Sequence, residues 1–155
     1  MPKYLSIVAI LILFGFLVYK ILSKDSPKGV VTLAINNQNF DLEIAKSMGQ
    51  KSAGLSGRPS LCKNCGMIFV YSTDGIYPFW MKDTLIPLDM IWISKDGVIT
   101  DIFTAHPQPD TPITRLTLYQ NTTPARYIIE LNAGISTQIG LKPGNRIWID
   151  PPTFP

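Results

Sequence analysis

The sequence predicts a mainly β fold: a compact β-sandwich or barrel-like domain with one or two short helices, preceded by one N-terminal transmembrane helix. Three observations lead there. Short apolar runs rich in Val, Ile, Phe, Tyr and Trp recur from residue 30 onwards, at strand rather than helix length. Turn signals built from Asn, Asp, Gly and Pro separate them. Ahead of them stands one uninterrupted apolar stretch, "YLSIVAILILFGFLVYKIL" (4–22).

Those nineteen residues are apolar apart from Ser6 and Lys20. As a helix they would span roughly 28 Å, against a hydrocarbon core of roughly 30 Å. A buried core helix would need apolar cover on every side. A cleavable secretion signal would need a small-x-small pattern, and "YKILSKDSPKG" has none. Residues 1–28 therefore read as an uncleaved membrane anchor and tether, and 29–155 as the β-rich domain. Orientation is open on these residues. Lys20, Lys24 and Lys28 favour a cytoplasmic domain, whereas a lone N-terminal segment like this one more often exports the domain behind it.

"VVTLAI" (30–35) and "NFDLEIA" (39–45) flank Asn36-Asn37-Gln38, a hairpin signal. Residues 46–65 lose the strand pattern and suit a short helix ended by Gly54 and Gly57-Arg58-Pro59. "GMIFVY" (66–71), "IYPFWMKDT" (76–84), "LDMIWIS" (88–94) and "VITDIFT" (98–104) come next as strands, with Lys95-Asp96-Gly97 as the strongest turn. After the proline-rich "AHPQPDTP" come "ITRLTLY" (113–119) and "ARYIIEL" (125–131) as strands. One or two helical turns fit 132–141, and "RIWI" (146–149) reads as a last strand. The total is about nine strands.

The run "GMIFVY…PFWMKDTLIPLDMIWISKDGVI" resembles the signature of the family called domain of unknown function 192. "KSMGQKSAGLSGRPSL" is similar to its short helix and Gly-Leu-x-x-Arg turn. "ARYIIELNAG" is similar to its strand ending in Glu, and "IGLKPGNRIWI" to its closing strand, with Asn145 where Asp is usual. The resemblance spans roughly 30–150. It implies a compact β-sandwich behind a signal or anchor segment, which tilts the orientation towards export, and it implies no catalytic residue. "LCKNCGM" departs from the acidic or polar loop usual there.

Cys62 and Cys65 form a C-x-x-C pair, open to a disulfide, a redox dithiol or half of a zinc site. A second C-x-x-C or a histidine pair is absent, and His106 stands alone in a proline-rich loop. The pair precedes a strand rather than opening a helix, which argues against a lowered thiol pKa. A disulfide clamp in an oxidising compartment is the expected state.

In "PFWMKDTLIPLDMIWI" (78–93), strand alternation puts Phe79, Met81 and Asp83 on one face and Trp80, Lys82 and Thr84 on the other. A hairpin centred near Ile86 would set Asp83 opposite Asp89, and two carboxylates so placed repel. Backbone amides of the "TLIP" turn, a bridge from Arg58 or Arg126, or a bound cation would each relieve this. Trp80 and Trp92 read as core or half-buried residues, with an exposed Trp80 beside Tyr77 and Lys82 as a stacking platform in the alternative. Asn121-Thr122-Thr123 fits a glycosylation acceptor.

The first 28 residues hold four lysines and one aspartate, and the rest is balanced, ten basic against ten acidic. A neutral domain disfavours nucleic acid as a partner, while the basic start suits anionic lipid headgroups. Nucleophile-elbow, phosphate-loop and dinucleotide motifs are absent, so no cofactor and no metal are expected. The expected function is a membrane-anchored, extracytoplasmic binding or accessory module. Its ligand, a small polar molecule, glycan or peptide, would meet Arg58, Trp80, Lys82, Asp83 and Asp89. The alternative is an enzyme, either a thiol–disulfide protein using Cys62 and Cys65 or a hydrolase using Asp83 and Asp89.

Overall fold

The computed structural model of the protein describes residues 29–149, so the anchor expected over 4–22 and its tether lie outside the described residues. Among the described residues no helix is long and apolar enough to cross a membrane.

Strands β1 (Val30–Ile35) and β2 (Gln38–Ala45) form the expected hairpin. Its two-residue turn places Asn36 and Asn37 at φ 46° and 65°, the left-handed region that asparagine tolerates best after glycine. Helix α1 (Met48–Ala53) follows, opened by a reciprocal capping box. The Gln50 amide donates to Ser47 Oγ at 3.1 Å, and the Ser47 amide donates back to Gln50 Oε1 at 3.0 Å. The chain then returns as β3 (Cys65–Gly75), parallel to β2. Next come β4 (Leu88–Ile93), β5 (Ile99–Ala105) and β6 (Ala125–Asn132), all in antiparallel pairs. A single turn of helix, α2 (Ile135–Gln138), packs after β6.

These strands make one mixed six-stranded sheet in the order β1-β2-β3-β6-β4-β5. The sandwich or barrel expectation is thereby corrected: among the described residues there is one sheet, and its pairing ends at β1 and β5. Three expected strands do not form. Around Pro78 the segment 76–84 makes only two isolated bridges, Phe79 to Tyr119 and Lys82 to Gln108, and Asp83 at φ 53° turns the backbone out of an extended path. Pro112 caps a 3-10 turn over Ile113–Arg115 where a strand was expected. The "RIWI" segment contributes one bridge, Arg146 to Val98.

These irregular segments instead cover the sheet. All six residues of β4 are buried, so its side chains fill cores on both faces. One face is aliphatic, built around Ile35, Leu42, Ile68, Ile91 and Ile129, and covered by Ile135 and Ile147. The other is aromatic and methionine-rich, built around Met67, Phe69, Met90 and Trp92, and covered by Leu55, Phe79 and Met81. Each such side chain contributes about 1.5–3 kcal/mol on burial. Trp92 also spends its ring N–H on the Tyr77 carbonyl, at 3.0 Å. Gly66 sets the spacing of the central strands. A Cβ there would collide with the Glu130 carbonyl and stand 2.7 Å from both Leu131 Cδ2 and Leu42 Cδ2.

Candidate functional site

A cleft of about 300 Å³ opens on the aromatic face. One wall is the end of α1 and its exit, Lys51 to Leu55. The opposite wall is the loop carrying Pro78, Phe79, Trp80, Lys82 and Thr84. Phe69, Tyr71 and Glu130 of the sheet form the floor.

Glu130 is the unusual group. On β6 it shares a face with Ile128 of the aromatic core, and its neighbours across the sheet are Met67 and Met90. It is 4 % exposed, and no hydrogen bond from a described residue reaches its carboxyl. Burial pushes its pKa up to about 8, and the Arg58 charge only partly opposes that. Gly54, at φ 47°, lets the backbone pass close by: a Cβ there would stand 3.9 Å from Glu130 Oε2. Above the floor, Lys51 Nζ lies 3.9 Å from the centroid of the Tyr71 ring. Burial lowers the Lys51 pKa. The Tyr71 ring stacks on Tyr77 with centroids 3.6 Å apart, and burial is the main cause raising its pKa to about 12.

Of the five expected ligand-binding residues, Trp80 and Lys82 line the cleft. Trp80 is 40 % exposed, a flat ring at the mouth. Arg58 stands outside the lining in a two-pronged pair with Glu43, whose second prong, Nη2 to Oε2, is 2.7 Å. That hydrogen-bonded partner raises the guanidinium pKa. Glu43, Met67 and Glu130 lie in one register row, so Arg58 holds positive charge towards Glu130 from the far side of Met67.

Asp83 and Asp89 are not brought together across a strand pair. The hairpin centred near Ile86 does not form, because β4 pairs with β5 and β6 instead. Asp83 is half exposed and pairs with Lys82. Its carbonyl accepts from the Gly57 amide at 2.8 Å, fastening the Arg58 turn to the loop. Asp89 is buried on the aliphatic face, where it accepts from Thr104 Oγ1 at 2.7 Å and the Ser136 amide at 2.8 Å. Capping therefore satisfies Asp89, though from α2 rather than from the "TLIP" turn. Arg126 is engaged elsewhere, with Asp74 at 2.7 Å.

Cys62 and Cys65 form a disulfide that closes the turn into β3. Among the described residues no group of three or more His, Cys, Asp or Glu is placed to hold a metal ion. Asn121 is buried, donating its side-chain N–H groups to the Gly75 and Thr123 carbonyls and accepting from the Tyr77 amide, so the acceptor asparagine presents no free amide.

Residues 31–149 match the family model described as Uncharacterized ACR, domain of unknown function 192. The chain belongs to this family. No curated protein matches it. Two solved structures resemble it. One is a Sinorhizobium meliloti 1021 protein provisionally described as a transcription regulator, 31% identical over 77% of this chain and 90% of that one, with a TM-score of 0.64. The other is a protein of unknown function from Novosphingobium aromaticivorans DSM 12444, 28% identical over 77% of this chain and 84% of that one, with a TM-score of 0.65.

Three of the four stretches that carry the domain of unknown function 192 resemblance meet at the cleft, while "IGLKPGNRIWI" packs on the aliphatic face. Gly54 and Leu55 of the Gly-Leu-x-x-Arg turn, Trp80 and Thr84 of the Phe-Trp-Met motif, and Glu130 of the strand ending in Glu all line it. Sequence reasoning quoted the Glu130 strand but gave the residue no role. The signal was there: a lone carboxyl inside "ARYIIEL", two positions from an isoleucine that must face a core. Lys51 had no such signal, since its position follows from where α1 docks.

Proposed function

We propose that the β domain is a small-ligand binding module, held to the membrane by residues 4–22 and facing out of the cytoplasm. The observation that carries the binding reading is Glu130, a buried carboxyl without a hydrogen-bond partner among the described residues, at the floor of an aromatic-walled cleft. Buried polar groups are normally satisfied, and one left without a partner at a concave site calls for an explanation that a ligand would supply. The location rests on the nineteen apolar residues near the start. The Cys62–Cys65 disulfide supports it, since such bonds persist in oxidising compartments.

The enzyme alternatives find less support. The cysteines are joined on a loop that enters a strand, and Asp83 and Asp89 turn to different partners instead of converging on one space. A nucleic-acid role, which the description of one structural relative suggests, lacks a surplus of basic charge in the domain.

Two measurements test the proposal. Membrane fractionation with protease accessibility should leave the domain membrane-bound and cleaved only from outside the cytoplasm; a soluble or internally protected chain would sink the placement. A small-molecule screen read by chemical shifts of Trp80 and Glu130 should yield ligands that perturb the cleft. Perturbations confined to other surfaces would remove the binding reading.

A further inference from the structure

The polar lining of the cleft is unbalanced in sign: two ammonium groups, Lys51 and Lys82, face one carboxyl, Glu130. Lys51 makes no ion pair among the described residues and rests on the Tyr71 ring. Lys82 pairs with its neighbour Asp83, where both side chains are about half exposed and the attraction is screened. A cationic ligand would meet two ammonium groups, with the Arg58 guanidinium beyond them. A neutral ligand would further desolvate Lys51 without compensating its charge. Only an anion improves the position of both lysines.

Resting on the binding reading above, we propose that the cleft takes a small organic carboxylate on a flat body, received by the Lys51 ammonium and the Glu130 carboxyl. At neutral pH Glu130 holds its proton, because burial keeps its pKa at about 8. It therefore donates an O–H to the incoming carboxylate, a strong hydrogen bond to a charged acceptor. Lys51 supplies the compensating charge. Phe79 and Trp80 provide flat apolar surface for the body. A volume of about 300 Å³ corresponds to roughly ten water-sized groups, which sets the ligand's size.

The pH dependence comes from the groups around Glu130. The Arg58 charge acts on it from the turn after α1 and Tyr71 faces it from β3, while Lys51 of α1 and Lys82 of the opposite loop share the cleft lining with it and Glu43 lies beyond Met67 on β2. Above about pH 8 the Glu130 proton leaves, the donor becomes a second anion, and carboxylate binding weakens.

The test uses two matched series with the full chain in detergent: benzoate, benzyl alcohol and benzylamine, and glucuronate, glucose and glucosamine. The carboxylate of at least one series should bind about tenfold or more tightly than its neutral and amine counterparts. Lys51→Met should remove that preference. Glu130→Gln should keep binding at neutral pH and lose the roughly tenfold decline expected between about pH 7 and 9. Equal or tighter binding of the neutral or amine member overturns the anion class and leaves the binding module standing. If no member of either series binds at millimolar concentration, both fall. A Glu130→Gln variant that keeps the alkaline decline assigns the titration to Lys51 and overturns the Glu130 contact.

Discussion

Among the described residues, the two faces of the sheet each bury one carboxyl, and the two could hardly be treated more differently. Asp89 on β4 points into the aliphatic face, while Glu130 on β6 points into the aromatic face. The two positions are adjacent in register, since Asp89 pairs with Leu131 and Met90 pairs with Glu130. Asp89 holds α2 and β5 together through two hydrogen bonds, whereas Glu130 looks into open space with none from a described residue. Burial is common to both. What separates a structural carboxyl from a candidate binding one is whether the fold has completed its hydrogen bonds.

Removing the satisfied carboxyl should have the largest effect. Asp89→Ala strands the buried Ser136 amide and leaves the exposed Thr104 hydroxyl to water, and hydrogen bonds to a charged group are worth about 1.5–3 kcal/mol each. A loss of about 3–4 kcal/mol in urea unfolding is expected, with ligand affinity unchanged in the molecules that remain folded. An Asp89→Ala protein of normal stability that no longer binds would reverse the roles assigned to the two faces.

Glu130→Gln should move stability the other way. The folded-state pKa of about 8 lies above the ordinary value of 4.5, so the folded chain holds a proton that the unfolded chain has released. Stability from this site is full below about pH 4.5, declines as pH rises, and is lost by about pH 8. Glutamine cannot ionise. The variant should therefore be more stable than the parent at pH 8 by about 2–3 kcal/mol, after discounting the cost of burying an amide. Its stability should also change less between pH 5 and 8, read by urea midpoints. A parent curve that rises over that interval would mean that Glu130 is ionised and paired in the folded state.

The contrast between the carboxyls was half legible in the sequence. The hairpins, the short helix, the disulfide and the family resemblance could be read, because local turn chemistry and apolar runs determine them. Pairing across the sheet could not. Treating 79–84 as a strand put Asp83 opposite Asp89, although Asp83 turns the backbone at φ 53° and Asp89 belongs to a strand flanked by β5 and β6. Alternation in "LDMIWI" also misleads when all six residues are buried, since both parities then face a core. The cleft is formed by residues from α1, β3, β6 and a loop, and no stretch of sequence contains it.

The disulfide should matter less than either carboxyl, and on one face only. It closes a short loop, worth about 2 kcal/mol by chain entropy. Asn132, at the end of β6, donates to the Cys62 carbonyl at 2.9 Å, so the turn is fastened to the sheet a second time. A Cys62→Ser, Cys65→Ser double variant should lose about 2 kcal/mol or less. Faster amide exchange should be confined to the segment from Arg58 into β3, leaving the aliphatic face as protected as before. Exchange that accelerates equally on both faces would show that the sheet opens as one unit, and the comparison between faces would lose its energetic content.

The smallest effect belongs to Asp83, the residue that sequence reasoning weighted most. Its left-handed backbone, at φ 53°, is tolerated by Gly, Asn and Asp and costs other residues about 1–2 kcal/mol. This accounts for an aspartate at the turn without invoking its charge. Asp83→Asn and Asp83→Gly should stay within about 0.5 kcal/mol of the parent, while Asp83→Ala loses about 1 kcal/mol. Benzoate and glucuronate should bind the Asn variant slightly more tightly, because Lys82 loses its competing partner. If Asp83→Asn instead abolished carboxylate binding while keeping the fold, the exposed ion pair would be part of the site. The cleft's boundary would then have to be redrawn to include the turn beside it.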